Sequence, residues 1–541
     1  MICLDRGVRL GVVLGACLWT GAVTGQPVAR PRFDPAAFEA HARFLSSDLL
    51  EGRGIATRGG QLAASYIEAV FRAAGLQPGF DGGFRQPLAM TAFRGDPEAH
   101  IGVEIGMLRQ HLLLGEEIVA INYGLPDDRL TSDVFFVGYG IHAPTERWDD
   151  YEGVDVRGRL LLAFVNEPGR DDPTRFRGPA LTIHGRWTTK LEEAARRGAA
   201  GMLLIHTEED AGYGWQVTFN SLSREKFRLA DDPWRLPFSG WIAEPALRRL
   251  LGAAGLQLEQ LRAEAEKPGF RPRPLPIRMT VEARRSVRSV QGENVVGVLP
   301  GERPGVVVLS SHFDHLGIGP EVAGDNIYNG AVDNGSALAM LLALAQGLPA
   351  MPAAQRPTLV FAAVDAEEEG LLGSTYYTRH PARPLAGTLA NINFEMTNPW
   401  GPTRDLLGIG AEHSELEAML GRVAARRGLR VSADVAREQG FFFRSDQLAF
   451  AQAGVPALWL DGGTDYEGHA PEWGAQRRAA YRDATYHRPS DVVGADWDWR
   501  GLQQLAEVAV DLIGEITAAG TVHWLPGSEF ASPAPSAQPV R

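Results

Sequence analysis

Two histidines and a set of carboxylates recur in this chain at spacings that suit metal-dependent hydrolysis. His312 and Asp314 form a His-x-Asp within SSHFDHLG, Asp333 stands in GAVDNGSA, and Glu367 and Glu368 lead EEEGLLGS. Glu395 follows in LANINFEM and His487 in YHRPSD. Imidazole and carboxylate donors with no thiol among them suit zinc or a similar hydrolytic metal. A ligating histidine usually donates its second ring N–H to an acceptor, and Asp314 is near enough in sequence to provide one for His312. His315 has no such partner in its motif and is assigned no role. Asp333 by itself reads as a helix N-cap. The adjacent Glu367 and Glu368 are harder to account for, because two neighbouring carboxylates repel unless a cation or a proton intervenes. Together these residues supply donors for two metals with one shared carboxylate, an arrangement that clamps a water between the ions.

The elements that must position them are strands and helices in alternation. Residues 306–311 (VVVLSS) and 358–364 (TLVFAAV) are apolar runs of strand length, and 335–348 is an apolar helix between them. Continuous apolar strands separated by helices indicate an α/β fold with a mostly parallel sheet covered by helices on both faces. Ligands bind such sheets at the C-terminal strand ends, where these side chains fall. The alternation runs from 294 to about 522 and ends in the helix 499–520.

Composition narrows the function. The chain has 541 residues, 45% hydrophobic and 22% charged, with a formal net charge of -13. This is ordinary globular composition, and it lacks the basic patch of a nucleic-acid-binding surface. The only cysteines are Cys3 and Cys17, and no Gly-x-Ser-x-Gly occurs. A cysteine nucleophile and an elbow-type serine hydrolase are therefore unsupported, which leaves metal or carboxylate chemistry.

The segment 1–25 carries Arg6 and Arg9 before GVVLGACLWTGAV, the pattern of a secretory signal peptide, too short for a membrane span. A second reading makes residues 14–17 a lipoprotein signal with Cys17 acylated; in both the protein is exported, to the periplasm or beyond the cell. Residues 26–124 are expected to begin the main domain, with helices packing on its sheet and Arg53 and Arg58 in a structural loop. Residues 125–270 are expected to form an inserted smaller strand-rich domain, 271–525 the main domain, and 526–541 a disordered tail.

In order, SSHFDHLG, GAVDNGSA, EEEGLLGS, INFEM and YHRPSD resemble the di-zinc aminopeptidases and glutamate carboxypeptidases of peptidase family M28. LSSDLLEGRGIATRGG resembles the family's N-terminal segment, and the insertion, with VFFVGYGI and GVDVRGRLLL, a protease-associated domain. The resemblance spans about residues 35–520 and implies the zinc exopeptidase fold, two Zn2+ per chain and a peptide substrate. It implies His312 and Glu395 on the first zinc, Asp333 bridging, Glu368 and His487 on the second, and Glu367 as general base. Asp314 would orient His312, Tyr486 would match an oxyanion-binding tyrosine of the carboxypeptidase branch, and the Asp333–Asn334 peptide bond would be cis. The family mostly carries Asp where this chain has Glu395. The expected activity is that of an aminopeptidase. A carboxypeptidase, a one-zinc glutaminyl-cyclase-like enzyme and a receptor on an inactive scaffold are the competing readings, and the oligomeric state is left open.

Overall fold

The computed structural model describes residues 31–531 except 96–97, 126–127, 171, 233–235, 398 and 434–436. The signal segment, Cys17 and residues 532–541 of the expected tail lie outside the described residues. Residues 526–531 belong to the folded body: Phe530 is buried and packs its ring against His413, Phe442 and Trp524.

The main domain is α/β and is built on a ten-stranded sheet. Four neighbouring central strands, Pro357–Val364, Arg303–His312, Thr388–Asn393 and Ala457–Gly462, are parallel. The expectation of a mostly parallel sheet holds for this centre, whereas most flanking pairings are antiparallel. The long strand Arg285–Leu299 runs antiparallel to Pro357–Val364 on one side and to Arg85–Gly95 on the other. On the far flank Asp405–Ile409 is antiparallel to Ala457–Gly462.

The central strands are apolar on both faces because helices cover both. Val307, Leu309, Leu359 and Phe361 point into a core with Phe38, Ile67, Leu341, Leu420 and Ile513, from five helices. The alternate residues Val308, Val360 and Ala362 point into a second core with Tyr377 and Phe450. The helix beneath the first core is apolar all round. The segment Ala331–Ala350 is long and apolar enough to cross a membrane, yet 89% of its most apolar window is buried inside the fold.

A second, eight-stranded sheet has cores of its own, which include Phe136, Phe164, Ile205 and Leu250 on one face and Leu161, Met202 and Leu204 on the other. Its strands run from His100–Ile105 to Arg273–Glu282, so the insertion is wider than the 125–270 read from sequence. The reason is periodicity. The outer strands alternate buried and exposed residues instead of forming apolar runs. The insertion also returns to the main sheet midway: Lys226–Leu229 pairs with Arg85–Gly95 as an edge strand.

Arg53 ties the main domain together at the strand ends. It is fully buried, and its guanidinium donates to the carbonyls of Leu45, Phe313, Asn329 and Gly330. This is the structural role expected for the loop, and Arg58 is exposed, 3.5 Å from Glu51. Gly330 is left-handed (φ 59°), and a Cβ there would stand 2.2 Å from the Asp333 carbonyl oxygen and 2.5 Å from the His315 ring. Arg53→Ala leaves these buried acceptors unpaired, at about 1–3 kcal/mol for each one not rescued by water. The expected result is a melting temperature lower by at least about 5 °C in a thermal scan.

Candidate metal centre

The register of the parallel strands brings the chemistry together. Ser310 pairs with Asn393, which sets Glu395 level with His312, and His312 pairs with Val364, just before Glu367 and Glu368. Asp333 arrives from the turn before the buried helix Ala337–Gly347, and its peptide bond to Asn334 is cis. His487 comes from a loop late in the chain. Several of these turns are strained: Ala366 (φ 58°), Met396 (φ 37°) and His487 (φ 54°) are non-glycine residues in the left-handed region. Such conformations cost about 1–3 kcal/mol each and gather at functional sites.

Two sets of donors meet at Asp333. His312 Nε2 lies 3.4 Å from Asp333 Oδ1 and 3.2 Å from Glu395 Oε1. On the other side, His487 Nε2 lies 3.1 Å from Asp333 Oδ2 and 3.3 Å from Glu368 Oε2. Donors bound to one tetrahedral zinc at about 2.0–2.2 Å stand roughly 3.3–3.6 Å apart. The donor set therefore fits two metals, with Asp333 giving one oxygen to each. Glu395 Oε1 reaches His312 Nε2 in spite of the extra methylene, and Ser445 Oγ donates to its other oxygen at 2.8 Å.

The hydrogen bonds behind the histidines set their tautomers. His312 Nδ1 faces the Asp314 carbonyl oxygen at 3.1 Å, which can only accept, so Nδ1 carries a proton and Nε2 is left for the site. Ser221 Oγ donates to the Val217 carbonyl and therefore accepts from His487 Nδ1 at 2.7 Å. Asn220 adds a bond to the His487 carbonyl at 3.0 Å. Ser221 and Asn220 lie on the helix Trp215–Leu222 of the insertion. The Asp314 carboxylate stands 3.6 Å from His312 Nδ1, and its oxygens accept the backbone N–H groups of Glu367 and Glu368. Asp314 thus orients the glutamate turn with its side chain and His312 with its backbone.

Burial and charge set the protonation. Burial pushes the Glu367 pKa well above the ordinary value, and Glu395 and Glu368 add to this against the pull of His312. Burial raises Glu395 as well. For His487 burial acts downward, but Glu368 and Asp333 outweigh it and raise the pKa to about 9. For Asp333, burial and Glu368 push upward, but hydrogen bonds from His312 and His487 hold the carboxyl below its usual range. Glu367 Oε2 is 3.9 Å from His312 Nε2, close to the donor sets but not within either.

Tyr486 stacks on His487, with ring centroids 3.8 Å apart, and lines the cavity over the site. His315, assigned no role from sequence, places Nδ1 2.8 Å from Glu368 Oε1 and groups with Asp333 and Glu368 as a further set of donors. Its position three residues after His312 was the available signal. Asp491, in the YHRPSD motif, accepts the backbone N–H groups of Val332 and Asp333 and so holds the residue that both donor sets share.

Ser221→Ala removes the acceptor that orients His487. Zinc affinity is expected to fall about 10–100-fold, as for other outer-shell substitutions, measured by chelator competition.

Comparison with known proteins agrees with this arrangement. Residues 294–513 match the family model for peptidase family M28. Leupeptin-inactivating enzyme 1 of Streptomyces exfoliatus is 32% identical over 207 residues, covering 37% of this chain and 43% of that protein. Aminopeptidase YwaD of Bacillus subtilis (strain 168) is 31% identical over 108 residues, 19% of this chain and 21% of that one. The chain thus spans less than half the length of these curated relatives. A solved aminopeptidase from Aneurinibacillus sp. strain AM-1 shares the fold, with a TM-score of 0.53 at 18% identity over 93% of this chain and 97% of that one. The donor sets all lie within residues 294–513, the part of the chain that matches the family model for peptidase family M28.

Proposed function

We propose that this protein is an exported two-zinc aminopeptidase that removes N-terminal residues from peptides. The observation that carries the reading is the pair of donor sets sharing Asp333, with Glu367 beside them and outside both. His312 and Glu395 would hold the first ion, Glu368 and His487 the second, and Asp333 both. Two zinc ions there would polarise the scissile carbonyl and make a bound water acidic.

The chain's own residues do the rest. Glu367, with its raised pKa, takes a proton from the attacking water and delivers it to the leaving amine. Burial favours the protonated form of Glu367, so a proton taken from the water can be held there until the amine leaves. Tyr486 is a neutral donor on the cavity wall, its pKa raised well above the usual value by burial and the nearby Asp333. We assign it the hydrogen bond to the developing oxyanion. We read the insertion as a protease-associated domain; its Trp187, Tyr213 and Trp241 line the same cavity, of about 480 Å³. Export rests on the signal pattern of residues 1–25.

The reading is tested with matched peptides whose ends are free, N-acetylated or C-amidated. An aminopeptidase loses cleavage on N-acetylation; turnover that survives N-acetylation and disappears on C-amidation assigns a carboxypeptidase instead. Glu367→Gln separates chemistry from metal binding. We expect kcat to fall by at least about 10²–10⁴-fold, the usual contribution of general acid–base catalysis, with two zinc ions still bound by elemental analysis. Near-normal kcat in that variant would refute the proton-transfer role.

A further inference from the structure

The centre contains a third imidazole, and its contacts differ in kind from those of His312 and His487. His315 Nδ1 stands 2.8 Å from Glu368 Oε1. That is a hydrogen-bond length, well inside the roughly 3.3–3.6 Å that separates donors sharing one tetrahedral zinc. An ionised carboxylate can only accept, so Nδ1 carries the proton of this bond. Glu368 presents its other oxygen, Oε2, to His487 Nε2 at 3.3 Å, the spacing of two ligands of one ion. The carboxylate is thus divided. Oε1 is taken up by an imidazole N–H, and Oε2 is left for a metal.

The His315 ring has little freedom to do anything else. It is buried, and its backbone N–H donates to the Arg53 carbonyl at 3.3 Å. Its ring meets the His487 ring edge to face, with centroids 5.6 Å apart. The ring fits because residue 330 is glycine, where a Cβ would stand 2.5 Å from it. Its Nε2 is buried with no hydrogen-bond partner among the described residues. A buried nitrogen left unpaired is costly, so the contact made by Nδ1 must outweigh that loss. Glu368 is fixed from its other end as well, since its backbone N–H donates to Asp314 Oδ2 at 3.3 Å.

We propose that His315 is a positioning residue that sets the metal selectivity of the second site by restricting Glu368 to one oxygen. With single donors from Asp333, Glu368 and His487, an ion there would have the three protein ligands and one open position of a catalytic zinc. Were Oε1 released, the carboxylate could chelate through both oxygens. A further oxygen donor favours ions of higher coordination number, such as Mn2+ or Ca2+, over zinc. The hydrogen bond from His315 therefore acts against those ions as much as it acts for zinc. The inference rests on the two-zinc reading of the centre and adds to it a reason for one metal over another.

The test uses metal ions alone and needs no turnover. Metal-free protein is dialysed against buffered Zn2+ with rising Mn2+, and both metals bound per chain are read by elemental analysis. In His315→Ala the Mn2+ to Zn2+ ratio that replaces half of one ion is expected to fall about tenfold from the wild-type value, as outer-shell substitutions do. The other ion, held by His312 and Glu395, is expected to keep its midpoint, whereas a general loosening of the fold would shift both. His315→Asn carries an amide nitrogen in the place of Nδ1 and is expected to restore the wild-type midpoint. An unchanged midpoint in His315→Ala overturns the proposal, and so does an Asn variant that behaves like the Ala variant. Loss of one ion from both variants overturns it too, because His315 would then be a ligand itself. A wild-type protein that takes up fewer than two ions overturns the two-zinc reading, and this inference with it, before any variant is compared.

Discussion

Four carboxylates in one largely buried cleft cannot all stay ionised without positive charge beside them, and much of this structure is an answer to that constraint. Asp333, Glu367, Glu368 and Glu395 are packed around two imidazoles, and the supporting groups are acidic as well: Asp314, Asp491 and Asp446. Burial raises Asp446 to about 7 and Asp491 to about 6. Backbone N–H groups meet part of the demand, with two each directed at Asp314 and Asp491. Arg53 meets another part from behind. Burial lowers its pKa to about 10, while Asp333, Asp314, Asp491 and Glu368 favour its charge. In the cleft itself the neighbouring carboxylates outweigh burial and raise the pKa of both histidines, and a metal bound there would take the place of those protons.

The same constraint explains why the insertion is more than an appendage. The helix Trp215–Leu222 provides the acceptor for His487, and the strand that follows places Lys226 Nζ 2.6 Å from Glu369, next to Glu368. Phe227 donates its N–H to the other oxygen of Glu369. These contacts anchor the two glutamate and histidine turns whose backbones are strained. The insertion thus bears on the geometry of the main domain through these polar contacts together with an edge strand whose Leu229 packs against Leu88, Met90 and Ala366.

Legibility in the sequence followed range. The donors lie at strand ends or in motifs read within a few residues, so His312, Asp333, Glu367, Glu368, Glu395 and His487 could be picked out together. The α/β alternation was as plain, because strands buried on both faces leave uninterrupted apolar runs. What could not be read depends on partners far apart in the chain. Nothing near Ser221 or Asn220 announces a histidine more than 260 residues later. The insertion's outer strands, such as His100–Ile105, bury only alternate residues and so resemble surface chain. The side chain of Asp314 turned to the glutamate turn, a choice that the register of two neighbouring strands makes and that the local motif does not show. His315 was passed over because its partner, Glu368, lies on the neighbouring strand's loop.

The pairing of Arg85–Gly95 with Arg285–Leu299 brackets nearly the whole insertion. During synthesis, the first of these strands emerges long before its partner, and His487 emerges later still. Closing so long a loop is slow, and domains form as units from the N-terminus as the chain lengthens. The smaller sheet can therefore fold first, while the cluster of donors around Asp333 is assembled later. A chain that stops before His487 holds at most scattered donors, so the two donor sets around Asp333 close only after that late loop has been made.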